Sequence, residues 1–307
     1  MPLVSMAEML AEAQRGRYAV CYCEAWNLES LQAVVEAAEE LRSPIIAGFN
    51  GGFLKHPSRS RAENLAYYAG MGRALSEAAV PVVFLLNETD DFSQIAQAID
   101  LGFNAVMVES EHLGLEEYQQ RVKRVVEMAH ARGVSVEAQI GHLPDASGGR
   151  DSHGEVTDPG RARRFVEETA IDALGVSIGN VHVLTEGKAA IDLAALRAVS
   201  AEVKVPLVVH GGTGFPPEMA SEAIALGVAK FNFGTGLKQA YLAAVREKLA
   251  VYQEPLSPHP FLGMGGEQDI LVAGREAVKQ EVKKLLRAYG SAGQAEEVGN
   301  TGQALRR

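Results

Sequence analysis

Cysteine is scarce in this chain. Cys21 and Cys23 are the only two in 307 residues. Their number and spacing exclude a disulfide scaffold. Two apart in one strand-like run, they fall on one face and read as small buried apolar groups. Basic charge is also in deficit: 29 Lys and Arg stand against 39 Asp and Glu, a net charge of −10. That leaves no basic surplus for a non-specific nucleic-acid surface, although backbone amides can still bind phosphate. No apolar run approaches the ~18 residues of a membrane span. The opening Met1-Pro2-Leu3-Val4-Ser5 lacks the basic region and apolar core of a signal peptide. Low-complexity segments and an internal domain linker are lacking too. These absences describe a soluble, cytoplasmic protein without a nucleic-acid or membrane partner.

What is present is a regular alternation. A hydrophobic content of 47% is enough for a full core. Strand-like runs fall at Tyr18–Cys23, Pro44–Phe49, Pro81–Asn87, Ala105–Ser110, Ser135–Gly141, Ala173–Gly179, Pro206–Gly211 and Lys230–Thr235. Helical patterns fill the intervals at Leu28–Leu41, Arg61–Ala78, Phe92–Leu101, Leu115–Ala131, Gly160–Ala170, Leu193–Ser200, Glu218–Ala225 and from Leu237 onward. Ser5 can cap a short preceding helix to Gln14, and Gln268–Tyr289 reads as an extra amphipathic helix. Eight strands alternating with eight helices is the count of a (β/α)8 barrel. The spacing predicts one barrel domain over residues 1–290, C-terminal helix included, and a flexible tail over 291–307.

Active sites of such barrels form at the C-terminal ends of the strands. That rule nominates Asn87-Glu88, Glu109-Ser110-Glu111-His112, Gln139, His182, His210 and Asn232-Phe233-Gly234-Thr235. The sharpest stretch is Pro206-Leu207-Val208-Val209-His210-Gly211-Gly212-Thr213-Gly214, where an apolar strand stops on a histidine and a glycine turn. Glycines between a strand end and a helix start let backbone N–H groups approach an anion. A glycine turn alone is only a tight turn. Thr213, with Asn232, Gly234 and Thr235 on the next strand, turns the reading toward a phosphate cradle, the recurrent site of strands seven and eight. One histidine at a strand tip is more often structural than a ligand, but two, His182 and His210, favour a metal or ligand role. The loop from His142 to Pro159, rich in Gly, Asp and Ser, is long enough for a lid. Its Asp145, Asp151, His153 and Glu155 read first as solvated residues.

With Gly179-Asn180-Val181-His182, His210-Gly211-Gly212-Thr213-Gly214 and Lys230-Phe231-Asn232-Phe233-Gly234-Thr235 in place, the chain resembles the class II, metal-dependent ketose-bisphosphate aldolases. This group includes the fructose- and tagatose-bisphosphate aldolases. The resemblance runs from Asn27-Leu28-Glu29 to Tyr289-Gly290-Ser291-Ala292-Gly293. It implies zinc on His182 and His210, phosphate on the glycine turn and the Asn-x-x-Thr stretch, retro-aldol cleavage, and a dimeric or tetrameric assembly. In that chemistry the metal polarises a carbonyl, while an aspartate and a loop glutamate move protons.

Departures cluster on the chemistry. The third strand ends Leu85-Leu86-Asn87-Glu88 where the family has His-x-Asp-His. Asn87 cannot act as a carboxylate base, and Glu88 replaces a histidine with an oxygen donor, leaving a two-histidine, one-carboxylate set. The family's Glu-x-Glu is Glu137-Ala138-Gln139, and the glycine after the first zinc histidine is Val183. The lid's Gly-Gly-x-Glu pattern is replaced around Pro144-Asp145-Ala146-Ser147. The expected site is therefore His182, His210 and Glu88 for a divalent metal, zinc first. Gly211, Gly212, Thr213, Asn232, Gly234 and Thr235 are expected to hold phosphate. Asn87, Glu109 and Glu137 fall around the reaction, with Glu109, Glu137 or a lid residue moving protons. An aldolase-type lyase on a phosphorylated ketose is the first reading. An isomerase or epimerase using the same carbonyl polarisation, and a phosphosugar-binding protein without catalysis, are the alternatives.

Overall fold

A computed structural model describes residues 3–109, 113–144, 146, 156–296 and 298. Its eight strands are β1 (Val20–Glu24), β2 (Ile45–Asn50), β3 (Val82–Thr89), β4 (Ala105–Val108), β5 (Ser135–Ile140), β6 (Ala173–Val176), β7 (Leu207–Val209) and β8 (Val228–Phe233). Every pairing is parallel, and β1 pairs with β8 to close the barrel. Around it run α1 (Met6–Gly16), α2 (Leu28–Glu40), α3 (Gly51–Leu54), α4 (Leu65–Arg73), α5 (Phe92–Leu101) and α6 (Leu115–His130). The series continues with α7 (Pro159–Thr169), α8 (Leu193–Glu202), α9 (Ala220–Ala225), α10 (Thr235–Leu249) and α11 (Ile270–Ala288). This is the expected (β/α)8 barrel with an added C-terminal helix.

Strand alternation divides the core in two. Val20, Tyr22, Ile46, Val83, Leu85, Met107 and Val208 belong to an inner cluster, plugged below by Met6, Met9 and Leu10 of α1. Cys21 and Cys23 point outward into the layer between strands and helices, buried and unbridged. Side-chain caps start most of the long helices. Asn27, Asp91, Asp158 and Asp192 each accept a backbone N–H from the first turn of α2, α5, α7 and α8. The helical pattern over 61–78 yields only α4, because Asn64 caps its start and a 3-10 turn replaces its end. β6 stops at Val176 because the Asn180 side chain takes the Ile178 N–H, and Gly179 turns with φ +93°.

The extra helix α11 buries Val278, Val282 and Leu286 at four-residue spacing. Burial of such side chains contributes ~1.5–3 kcal/mol each. The partly exposed pairs Lys279–Glu36 and Lys283–Glu40 to α2 are each worth ~0–1 kcal/mol. The apolar stripe therefore holds α11, and the charges set its register. The expectation of a flexible tail from 291 is corrected for its first residues. Ser291 is buried with its Oγ 2.9 Å from Ser43 Oγ, while Gly293 and Ala295 donate backbone N–H groups to Leu41 and Arg42 carbonyls. Their Gly, Ser and Gln composition hid a docking made by backbone hydrogen bonds. Residues 297 and 299–307 lie outside the described residues.

Candidate active site

Three strand ends bring Glu88, His182 and His210 together, each with one donor atom within 4.8 Å of the others. Each is placed by a local device. β3 skips a register step between Leu86 and Thr89, and Glu88 sits in that irregularity with φ +50°. Left-handed backbone at a glutamate is uncommon and marks a position held by its surroundings. Here it turns the carboxylate toward His210, Glu88 Oε1 lying 3.2 Å from Nδ1, while Asn50 Nδ2 donates to Oε2 at 2.6 Å. Asn180 joins the other two strand ends, donating to the His210 carbonyl at 3.0 Å while accepting from Ile178. His182 exchanges backbone bonds with the start of the long loop, donating to the Pro144 carbonyl and accepting from Ala146.

Below the triad lies a buried charged chain. His210 Nε2 is 2.9 Å from Glu137 Oε1, and Glu137 Oε2 is 2.8 Å from Lys230 Nζ. Lys230 Nζ also donates to Asn232 Oδ1 at 2.6 Å, and the Asn232 amide lies 3.1 Å from His210 Nε2. Burial pushes the Glu137 carboxyl up, but the Lys230 charge and the His210 hydrogen bond outweigh it and hold it below its ordinary value. Burial lowers Lys230, an effect Glu137 only partly offsets. His210 is pushed down by burial, yet its bonds to Glu137 and Glu88 carry it up to about 9. Glu88, opposed by burial, is drawn down to about 2 by the His210 hydrogen bond and by the charges of His182 and His210.

A cavity of about 400 Å³ opens above the triad. It collects Asn87, Glu88, His182, Gly211, Thr213, Asn232, Gly234 and Thr235 from the expected site residues. Asn87 is 1% exposed, and its Oδ1 has no hydrogen-bond partner among the described residues. Gly211 requires its identity, since it has φ +67° and a methyl group there would collide with the Val181 carbonyl. Thr213 Oγ1 accepts the Gly236 N–H at 3.2 Å and ties the glycine turn to the first turn of α10.

His210 is buried and does not line the cavity, and three further expected residues are placed otherwise. Gly212 lines a separate cavity behind the turn, beside Phe215 and Tyr289, because the turn folds it under Phe233. Glu109 lines a cavity between the β4 and β5 ends, with Tyr118, Gln139, His142 and Arg161, since β4 ends at Val108 and aims its tip to that side. Glu137 is fully buried between His210 and Lys230 and does not line the cavity above the triad. Ser110, Glu111, His112, Asp145, Asp151, His153 and Glu155 lie outside the described residues. Sequence reasoning missed Glu24, Asn50, Lys230 and Lys238. Glu24 stands at a strand tip like Asn87, so the same rule nominates it. Lys230 had a signal too, a lysine two residues before Asn232 on the same strand face.

The donor set fits a divalent metal: two imidazoles and a carboxylate converge, and one imidazole is backed by a buried carboxylate on its other nitrogen. That backing fixes tautomer and ring orientation in metal-binding histidines.

Comparison with known proteins agrees. The family model for class II fructose-bisphosphate aldolase matches residues 4–294. Fructose-bisphosphate aldolase of Geobacillus stearothermophilus is 37% identical over 299 residues, covering 96% of this chain and 99% of that one. A probable fructose-bisphosphate aldolase of Bacillus subtilis is 36% identical, covering 96% of this chain and 100% of its own. Among solved structures, the YdjI aldolase of Escherichia coli K12 superposes with a TM-score of 0.77 at 31% identity, covering 95% of this chain and 99% of that one.

Proposed function

Since the chain belongs to the class II fructose-bisphosphate aldolase family and is a lyase of that class, we propose that it cleaves and forms a carbon–carbon bond in a phosphorylated ketose, with zinc on His182, His210 and Glu88. The observation that carries this reading is the convergence of those three donors beside one cavity, which Glu88 and His182 line together with Thr213, Gly234 and Thr235. Two histidines and a carboxylate form a zinc set that leaves a position open for substrate. When bound, the metal polarises the ketone carbonyl and stabilises the charge that develops as the bond breaks.

The chain's own residues do the rest. Glu137, anchored by Lys230, holds the His210 ring. Asn50 fixes the second oxygen of Glu88. Asn87 cannot take up a proton near neutrality, and its spare Oδ1 accepts a hydrogen bond from a substrate hydroxyl. Gly211, Thr213 and Thr235, which line the cavity where α10 begins, receive the phosphate. Asn232 serves as a link between Lys230 and His210 at the cavity wall. With Glu109 in another cavity and Glu137 pinned, proton transfer falls to the acids of the loop between β5 and α7. The reading includes assembly as dimers or tetramers in the cytoplasm. Exposed Leu242, Leu249, Val251 and Leu262, on and after α10, support an assembly.

The test is product analysis with metal-loaded protein and a panel of phosphorylated ketoses, fructose and tagatose bisphosphates included. Two carbonyl fragments per substrate are expected. An isomer without fragments overturns the lyase reading.

A further inference from the structure

The phosphate end of the cavity contains an acid. Glu24 ends β1, is 8% exposed, and lines the cavity with Thr213, Gly234 and Thr235. One carboxylate oxygen, Oε1, lies 2.6 Å from Lys238 Nζ. The other, Oε2, lies against Gly234, where an added methyl group would collide with it. Gly234 is the N-cap of α10, a helix of 15 residues whose start has no side-chain cap. The Glu24 carboxylate thus sits at the positive end of α10, where an incoming anion would gain most. Among the described residues lining this cavity, Lys238 is the one Lys or Arg, and Glu24 holds it. The Lys238 ammonium also faces the Phe53 ring at 4.5 Å, a cation–π contact that keeps its charge at this end of the cavity.

We propose that Glu24 is a specificity-determining residue that competes with the substrate's phosphate for Lys238 and the α10 N-terminus. The proposal rests on the reading of this cavity as a phosphosugar site. Phosphate enters by exchange: Lys238 turns from the Glu24 carboxylate to the phosphoryl oxygens, and Glu24 is left facing a like charge. Two negative groups a few ångströms apart in a partly desolvated cavity repel strongly. The site is therefore weak for free phosphate and depends on the sugar's other contacts. It admits substrates that also engage the metal triad and discriminates against small phosphate esters that offer the anion alone.

The experiment titrates inorganic phosphate into the metal-loaded full-length protein by calorimetry. Glu24→Gln keeps the shape and removes the charge, and it should tighten phosphate binding by about tenfold or more. Glu24→Asp keeps the charge and should stay as weak as the wild type. Adding Lys238→Met to Glu24→Gln should erase most of the gain. Equal affinity in wild type and Glu24→Gln, or a gain that survives loss of Lys238, overturns the proposal. Phosphate binding by none of the variants while the wild type still cleaves phosphorylated ketoses also overturns it and leaves the lyase reading intact. A tighter Glu24→Gln in a protein that yields no carbonyl fragments leaves the proposal standing and removes the lyase reading.

Discussion

The barrel mouth has two halves. Around the ends of β6, β7 and β8, the residues that resemble the family's pattern converge: His182, His210, Gly211, Thr213, Asn232 and Thr235. Around β3, β4 and β5, the sequence departs, and the structure shows how the departures are absorbed. Glu88 occupies a left-handed position in an irregular strand and reaches His210. Gln139 bonds to its own loop, its Nε2 donating to the Gly141 carbonyl. Glu137 has been drawn into the floor as the partner of Lys230. The half proposed to bind phosphate keeps the residues of the resembled pattern, and the half proposed to move protons does not. A barrel separates the two because each loop is anchored on its own strand.

The largest test of this contrast is whether the rebuilt half still contributes a ligand. His210→Ala should abolish stoichiometric metal binding, and Glu88→Ala should do the same, read by metal analysis after dialysis. Retained metal in Glu88→Ala would confine the metal to the retained half. Next is the floor. Glu137→Gln removes the charge behind His210 and leaves Lys230 buried with one fewer anion. It should lower metal affinity by about 10–100-fold, measured by competition with a chelator. A catalytic role without positioning would instead lower turnover at unchanged affinity.

The link between the halves titrates. Glu88 is drawn down to about 2, so its contribution to stability is present above its ordinary 4.5 and lost as pH falls toward 2. His210 is raised to about 9, so its contribution is full below 6.5 and lost as pH climbs through 9. The Glu88–His210 pair should thus support the metal-free protein most between about pH 4.5 and 6.5, with thermal stability in chelator declining from there toward 9. A flat profile over that alkaline range would deny the pair. The smallest effect lies in the retained half. Val183, a β-branched residue, has φ +52° and is 36% exposed. Val183→Gly should raise stability by about 1 kcal/mol, the relief of a strained backbone less the entropy of glycine, measured by denaturant unfolding.

The barrel was legible because strand and helix alternate at a fixed count and most of the long helices carry a side-chain cap. The meeting of His182 and His210 was legible because each stands at a strand tip, His210 just before Gly211 and His182 two residues after Asn180. Glu88 was harder, since only a register slip and a positive φ aim it at His210, and neither is written in composition. The burial of Glu137 was not legible, because a carboxylate at the end of a strand looks the same whether it faces the cavity or a buried lysine. The docked segment at 291–296 escaped because its bonds are made by backbone.

That docking, with the pairing of β1 to β8, sets the order in which the protein can be completed during synthesis. Val20–Cys23 wait for Lys230–Phe233 as their second neighbour, and the loop at Leu41–Ser43 waits for Ser291–Ala295. An emerging chain therefore carries an open strand edge at β1 until the last quarter is made. Exposed edges of that kind recruit other chains. A nascent chain stalled before residue 230 is the form most exposed to aggregation, and chaperone demand during synthesis should fall once α11 and the segment after it have left the ribosome.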